Sequence, residues 1–220
     1  MKINDKLHAF LWNHPMANNC NTYLIIDGEK KILIDPGHYQ FFDHVRRGLA
    51  DLSLRPEDMD AVLITHGHPD HIESVRLFID TDAKVAISVT EMDFIRRMVP
   101  RYGDALGISD FEPDILLEGG NLEIGTTRFD VIPSPGHSPG SVCFFWPDEK
   151  VLFTGDVVFN GGIGRTDLPG GNGETLKESI KRISTLDAEY VLSGHGDIVK
   201  GKDAVKANFQ EIENFWFGYI

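Results

Sequence analysis

The segment that follows the short apolar run at residues 61–64 is rich in metal-ligating side chains and reads Thr65-His66-Gly67-His68-Pro69-Asp70-His71. Imidazole nitrogen and carboxylate oxygen are the ligands that suit Zn²⁺, Fe²⁺ and Mn²⁺. The glycine, the proline and the preceding strand-like run predict a loop rather than a helix. Because alternate residues of such a loop can converge, His66 and His68 could hold one metal ion and Asp70 with His71 a second. A polar surface loop is the simpler alternative, but three histidines in six residues are hard to obtain by chance.

Three further positions place a ligand-type residue beside glycine at the expected end of a strand. His137 lies in a Pro/Gly turn, Asp156 follows Gly155, and His195 lies between two glycines. Glycine lets the backbone come close to an ion. Taken alone, each is more typical of a turn or helix cap. Taken with the first cluster, they complete a set of seven candidate metal ligands.

Composition excludes several classes of function. The 220 residues carry 21 Lys and Arg against 34 Asp and Glu, a formal net charge of −13. Nucleic acid and anionic membranes are therefore not expected as partners. Cys20 and Cys143 are too few and too far apart for a disulfide framework, which favours a reduced setting. With no apolar run of signal-peptide or membrane-spanning length, we expect a cytoplasmic protein.

The pattern of short β-like runs and amphipathic stretches predicts one α/β domain over residues 1–220. Strands are expected at residues 7–12, 22–26, 31–34, 61–64, 84–87, 122–124, 128–132, 141–146, 150–153 and 190–192. A first helix is expected on the apolar spacing of Phe42, Val45, Leu49 and Leu52. A second should open at a capping box of Ser88 and Glu91 and stop near Pro100. A third should begin at about residue 174, and a docked C-terminal helix should cover about 203–217.

In order and spacing, these motifs resemble the metallo-β-lactamase superfamily, and Ile34-Asp35-Pro36-Gly37 resembles its first motif. The resemblance implies a four-layer αββα sandwich with a metal cleft at one edge of two sheets. It implies a first metal on His66, His68 and His137, and a second on Asp70, His71 and His195. Asp156 would bridge the two metals. Asp35 would support a ligand imidazole or the ligand loops, although a simple turn role is nearly as well supported.

Within that superfamily the sequence favours some branches over others. No cysteine lies near Asp156, where true metallo-β-lactamases commonly have one. The glycine-rich stretch at 161–171 is similar to the glyoxalase II-like and persulfide dioxygenase branches. Only 25 residues follow His195, so the short glyoxalase II-like hydrolases match better than the full-length enzymes. In this stretch Arg165 could face an anionic substrate group, but pairing with Asp167 is preferred.

The leading hypothesis is therefore a hydrolase of small thioesters or ester-like molecules that uses a hydroxide shared by two metal ions. Zn²⁺ is the preferred ion, with Fe²⁺ or Mn²⁺ as alternatives. Asp70 and Asp156 are the carboxylates expected to take part in catalysis. The alternative is a mononuclear-iron persulfide dioxygenase that uses His66, His137 and Asp156. A metal-stabilised binding module is disfavoured because all seven ligand positions are filled. The substrate and the oligomeric state are left open.

Overall fold

Two six-stranded sheets lie at the centre of the computed structural model, which describes residues 1–102 and 111–220. The first sheet contains, in spatial order, β1 (Leu7–Phe10), β2 (Thr22–Asp27), β3 (Lys30–Ile34), β4 (Ala61–Leu63), β5 (Lys84–Ser88) and β6 (Ile115–Leu117). The strands that follow along the chain are β7 (Gly120–Ile124), β8 (Thr127–Pro133), β9 (Val142–Trp146), β10 (Val151–Gly155), β11 (Val158–Phe159), β12 (Gly162–Ile163), β13 (Tyr190–Ser193) and β14 (Val199–Lys200). The second sheet has the order β14-β13-β10-β9-β8-β7, whereas β11 and β12 form a separate hairpin.

Five α-helices are present in the described residues, and four of them cover the outer faces of the sheets. They are α1 (Asp43–Ala50), α2 (Pro69–Ile72), α3 (Val89–Tyr102), α4 (Gly173–Ile183) and α5 (Lys202–Phe215). α1 and α3 pack on the first sheet, with Val45 and Met92 buried against its outer face. α4 and α5 pack on the second, with Leu176 and Phe209 buried there. The layer order is therefore α, β, β, α, as the resemblance implied.

The core consists of three apolar layers because successive strand residues point to opposite faces. Ile32 and Ile34 face the second sheet, whereas Leu33 lies between them and faces the helices of the first. Every residue of β9 and β10 is buried, as expected for strands covered on both faces. None of the helices in residues 1–102 and 111–220 has the length and apolar character that a bilayer span requires.

The strand directions bring several chain segments to one edge of the molecule. β3 and β4 are parallel neighbours in the first sheet, and β10 and β13 are parallel neighbours in the second. Their carboxyl ends lead into Asp35, His66, Asp156 and His195, while His137 lies in the β8–β9 connection. This is where the candidate ligands gather.

The strands predicted from sequence are present with boundaries shifted by one or two residues. The short strands β6, β11, β12 and β14 were not predicted. The C-terminal helix, expected over about 203–217, ends at Phe215 and continues as a 3₁₀ turn at Trp216–Gly218. The expected stop of α3 near Pro100 was wrong, because the helix continues to Tyr102. A proline removes one helical donor and disturbs the preceding turn, but it does not prevent the following residues from remaining helical.

Candidate metal centre

The segment from His66 to His71 is half loop and half helix. His68 is extended, and Pro69 takes the first position of α2, where its missing N–H is not needed. His68 provides the carbonyl that accepts hydrogen bonds from the backbone N–H groups of His71 and Ile72. The prediction of a loop throughout was therefore wrong for its second half, since Asp70 and His71 are held by a helical turn.

A first group of ligand atoms is formed by three histidines from two loops. Nε2 of His66 lies 3.1 Å from Nδ1 of His68. Nε2 of His137 lies 2.7 Å from that same Nδ1 atom. The three ligand nitrogens all lie within 4.8 Å of one another, which is close enough for one ion to bind all of them.

A second group combines α2 with the loop after β13. Nε2 of His71 lies 3.4 Å from Nε2 of His195, and Oδ2 of Asp70 lies 3.2 Å from the latter atom. These three residues also offer ligand atoms within 4.8 Å of one another. The Cβ that a side chain at Gly194 would add lies 2.6 Å from Cε1 of His71, so a larger residue there would enter this group.

Asp156 lies between the two groups. Its Oδ2 is 3.5 Å from Nε2 of His137 and 3.4 Å from Nε2 of His195. Its Oδ1 is 3.2 Å from Nε2 of His71, yet it is buried without a hydrogen-bond partner among the described residues. The structure thus brings together all seven ligand candidates predicted from sequence.

Hydrogen bonds from neighbouring residues orient the imidazoles. Asp35 accepts from the Thr65 backbone N–H at 2.8 Å and from its hydroxyl at 2.6 Å, and its Oδ2 lies 2.8 Å from Nδ1 of His71. Nδ1 of His137 lies 2.7 Å from the carbonyl oxygen of Arg165. These contacts occupy Nδ1 and leave Nε2 of each ring facing the centre. Asp35 therefore contacts both a ligand imidazole and the ligand segment.

Glu91 is a buried carboxylate that links the two loops of the first group. Its Oε1 accepts from the backbone N–H of Gly67 at 2.8 Å. Its Oε2 accepts from the backbone N–H of Gly140 at 2.7 Å and from the Ser138 hydroxyl at 2.8 Å. The predicted capping box is only half formed, with the Glu91 N–H 3.4 Å from Ser88 Oγ, because the Glu91 side chain turns to the loops instead. In the sequence, Glu91 is recognisable only as a glutamate in the first turn of a helix. That position does not distinguish a helix-capping residue from one that joins two loops by hydrogen bonds.

The ligand atoms lie at the base of an open pocket of about 510 Å³. Phe159, Ile163 and Leu168 contribute apolar side chains to its lining. Asn18, which sequence analysis did not identify, also borders the pocket and donates from Nδ2 to Asp70 at 2.7 Å. Arg165 also borders the pocket, and its guanidinium makes two hydrogen bonds of 2.7 Å to Asp167, as preferred from sequence.

Comparison with known proteins identifies the family. A model of the Metallo-beta-lactamase superfamily matches residues 16–195. This chain belongs to the metallo-beta-lactamase superfamily. It is 37% identical over 186 residues to the "Probable metallo-hydrolase YqgX" of Bacillus subtilis, covering 80% of this chain and 84% of that protein. It is 35% identical over 185 residues to "Hydroxyacylglutathione hydrolase GloC" of Haemophilus influenzae, with 80% and 85% covered. The solved structure of TTHA1623 in a di-iron-bound form aligns with a TM-score of 0.68 and 31% identity, covering 86% of this chain and 92% of that one.

Members of the metallo-beta-lactamase superfamily bind divalent metals, and the side chains here fit such ions. Imidazole nitrogens from separate segments of the chain converge to 2.7–3.4 Å from one another, an arrangement that lets them share a cation. The unpartnered Oδ1 of Asp156 is a second sign, since a buried carboxylate oxygen normally has a donor. The donor set suits Zn²⁺, Fe²⁺ and Mn²⁺ alike.

The electrostatics of the two groups differ. Burial lowers the pKa of His66 and of His137, and lowers that of His68 to about 4, so these rings are neutral lone-pair donors. Burial also opposes charge on His195, but Asp156 and Asp70 raise its pKa to about 9. Burial opposes charge on His71 as well, but the nearby carboxylates of Asp156 and Asp35 raise its pKa. The second group contains Asp70, and its histidines lie beside Asp156 and Asp35, so it attracts positive charge more strongly than the first group does.

Proposed function

We propose that this chain is a cytoplasmic, metal-dependent hydrolase of small thioesters or ester-like molecules, of the glyoxalase II-like type, with two divalent ions in its site. The observation that carries the proposal is the pair of ligand groups that meet at Asp156. A site for one ion would need only one such group. The name of the Haemophilus influenzae relative supports a thioester substrate.

In this proposal His66, His68 and His137 hold one ion, Asp70, His71 and His195 hold the other, and Asp156 contacts both. Two such ions, Zn²⁺ by preference, supply the means to activate water and to polarise a carbonyl group. Asp70 faces the pocket and is fixed by Asn18, so it can orient the attacking water. Asp35 and the Arg165 carbonyl keep the Nδ1 atoms of His71 and His137 engaged. This leaves their Nε2 atoms free for ligation.

The pocket supports a small-molecule substrate. Its volume of about 510 Å³ is in the range usual for small-ligand sites. The apolar side chains of Phe159, Ile163 and Leu168 in its lining offer a surface for the non-reacting part of a thioester. The Arg165 guanidinium is paired with Asp167, so we do not assign it to an anionic substrate group.

The test is an anaerobic assay with protein loaded with Zn²⁺ or with Fe²⁺. We expect the Zn²⁺ form to release free thiol from hydroxyacylglutathione and from simpler thioesters without O₂. A chromogenic β-lactam is tested under the same conditions, and a parallel assay in air-saturated buffer follows O₂ with glutathione persulfide on an oxygen electrode. O₂ consumption by the Fe²⁺ form, with no thioester cleavage by either form, would replace the proposal with the persulfide dioxygenase alternative. Cleavage of the β-lactam alone would mean that the substrates are β-lactams and not thioesters.

A further inference from the structure

The short hairpin of β11 and β12, residues 158–163, is held at its turn by the C-terminal helix. Asn208 of α5 donates from Nδ2 to the Phe159 carbonyl at 3.0 Å, and its Oδ1 accepts from the Gly161 N–H at 2.7 Å. Nε1 of Trp216, just after α5, donates to the Gly161 carbonyl at 2.9 Å. Asn208 is 5% exposed, whereas the turn that it bonds is partly exposed.

This hairpin needs such support. Each of its strands has only two residues, paired Val158 with Ile163 and Phe159 with Gly162. Two-stranded hairpins are marginal in water even when they are longer. The base of the hairpin is anchored by buried Val158, whose carbonyl accepts from the Thr154 hydroxyl at 2.8 Å, so the side-chain amide of Asn208 is what fixes the turn.

The same hairpin lies directly beside the metal centre. It begins two residues after Asp156 and ends two residues before Arg165, whose carbonyl contacts His137. The Phe159 ring lies 5.9 Å from the His195 ring at an interplanar angle of 77°. Phe159 and Ile163 together supply two of the apolar side chains that border the pocket.

We propose that the hairpin is the surface against which the apolar acyl chain of the substrate packs, and that Asn208, with Trp216, is the residue that positions it. This inference rests on the proposed thioesterase function and names the part of the substrate that the hairpin contacts. Asn208 is a positioning residue, since it acts through Phe159 and Ile163 and touches neither the metal ligands nor the pocket.

The experiment compares Asn208→Ala and Trp216→Phe with the wild type and with Val205→Ala. Val205 is buried on the same helix, so its truncation loosens α5 without removing a bond to the hairpin. Two measurements are made on metal-loaded protein: hydrogen exchange of a peptide that covers 158–163, and KM for acetyl and hexanoyl thioesters. We expect Asn208→Ala to speed exchange about three- to tenfold, a modest effect for the loss of two hydrogen bonds because both are only partly buried. The KM for the hexanoyl substrate should rise by a similar factor, whereas KM for the acetyl substrate and the metal content stay unchanged.

Trp216→Phe should give a smaller change in the same direction, and Val205→Ala should change neither measurement. Unchanged exchange in Asn208→Ala overturns the inference whatever the activity. An equal rise in KM for both substrates overturns the acyl-chain assignment. A wild type that cleaves no thioester is a different result: it defeats the proposed function and with it the substrate assigned to the hairpin, while the exchange data still decide whether Asn208 positions it.

Discussion

Asp156 is the residue at which the two ligand groups meet, so its removal should affect both. We expect Asp156→Ala to lower the affinity for each of two metal ions at least about 100-fold, because ligand loss should exceed the effect of losing a supporting contact. His195→Ala removes a ligand of the second group alone and should keep one ion bound. Native mass spectrometry of the metal-loaded variants counts the ions. Two ions bound to Asp156→Ala with wild-type affinity would rule out the bridging role.

A separate prediction concerns Glu91. It contacts no ligand atom, but it forms hydrogen bonds to both loops of the first group. Glu91→Gln should weaken metal binding by the His66, His68 and His137 group, since the new NH₂ group would face the backbone N–H of either Gly67 or Gly140 and leave that N–H without an acceptor. The unsatisfied buried N–H should also lower the free energy of unfolding by about 1–3 kcal/mol.

The matched control for Glu91 is its neighbour Met92. Met92 is buried against the outer face of the first sheet and forms no part of the site. Met92→Ala should cost about 2–5 kcal/mol of stability and leave metal affinity unchanged. Affinity is measured by competition with a chelating dye on folded protein. Equal weakening in both variants would mean that Glu91 acts through stability only.

In the loop that follows β12, the backbone of Arg165 contacts a candidate ligand, whereas its side chain does not. The Arg165 carbonyl contacts His137, whereas the Arg165 guanidinium and the Asp167 carboxylate form an exposed pair. Exposed pairs contribute little to stability. We therefore expect Arg165→Met to leave the midpoint of thermal unfolding and kcat unchanged. Differential scanning fluorimetry and thioester kinetics check this, and a raised KM alone would reassign the guanidinium to substrate binding.

Periodicity and turn residues predicted most elements, because buried strands and amphipathic helices carry a strong apolar pattern. α2 was missed because its four residues carry ligands rather than an apolar face, and its start depends on Pro69 taking a helical position. β11 and β12 were missed because two-residue strands have no periodicity. Their hairpin depends on Asn208, some 50 residues later, which no local pattern reveals.

The candidate ligands were predicted because histidine clusters and strand-end residues beside glycine are local signals. The contacts that Glu91 and Asn18 make with the site were not predicted, because each residue bonds to a partner far away in sequence. That residues 1–220 form one domain stays a prediction.

At the scale of the whole molecule, the metal centre spans both sheets. His66, His68, Asp70 and His71 follow a strand of the first sheet, whereas His137, Asp156 and His195 come from connections of the second. Hydrogen bonds already cross this edge: the Tyr23 hydroxyl donates to the Ser193 carbonyl at 2.6 Å, and the Val142 N–H donates to the Thr65 carbonyl at 2.9 Å. The metal-free protein should therefore fold, with the crowded imidazoles and carboxylates as its weakest region.

Metal binding should then stabilise the entire fold, because ions that bind only the folded state shift the unfolding equilibrium. At free Zn²⁺ about 1,000-fold above its dissociation constant the gain is about 4 kcal/mol per ion. For a chain of this size that corresponds to a rise in Tm on the order of 10 °C. We expect chelation, which removes both proposed ions, to lower Tm by about twice this amount, on the order of 20 °C, and Zn²⁺, Mn²⁺ or Fe²⁺ to restore it. His195→Ala should show a smaller shift, and Asp156→Ala the smallest of the three, because its affinity for both ions is lowered. A wild-type Tm that does not change after verified metal removal would contradict the assignment of these seven residues as ligands.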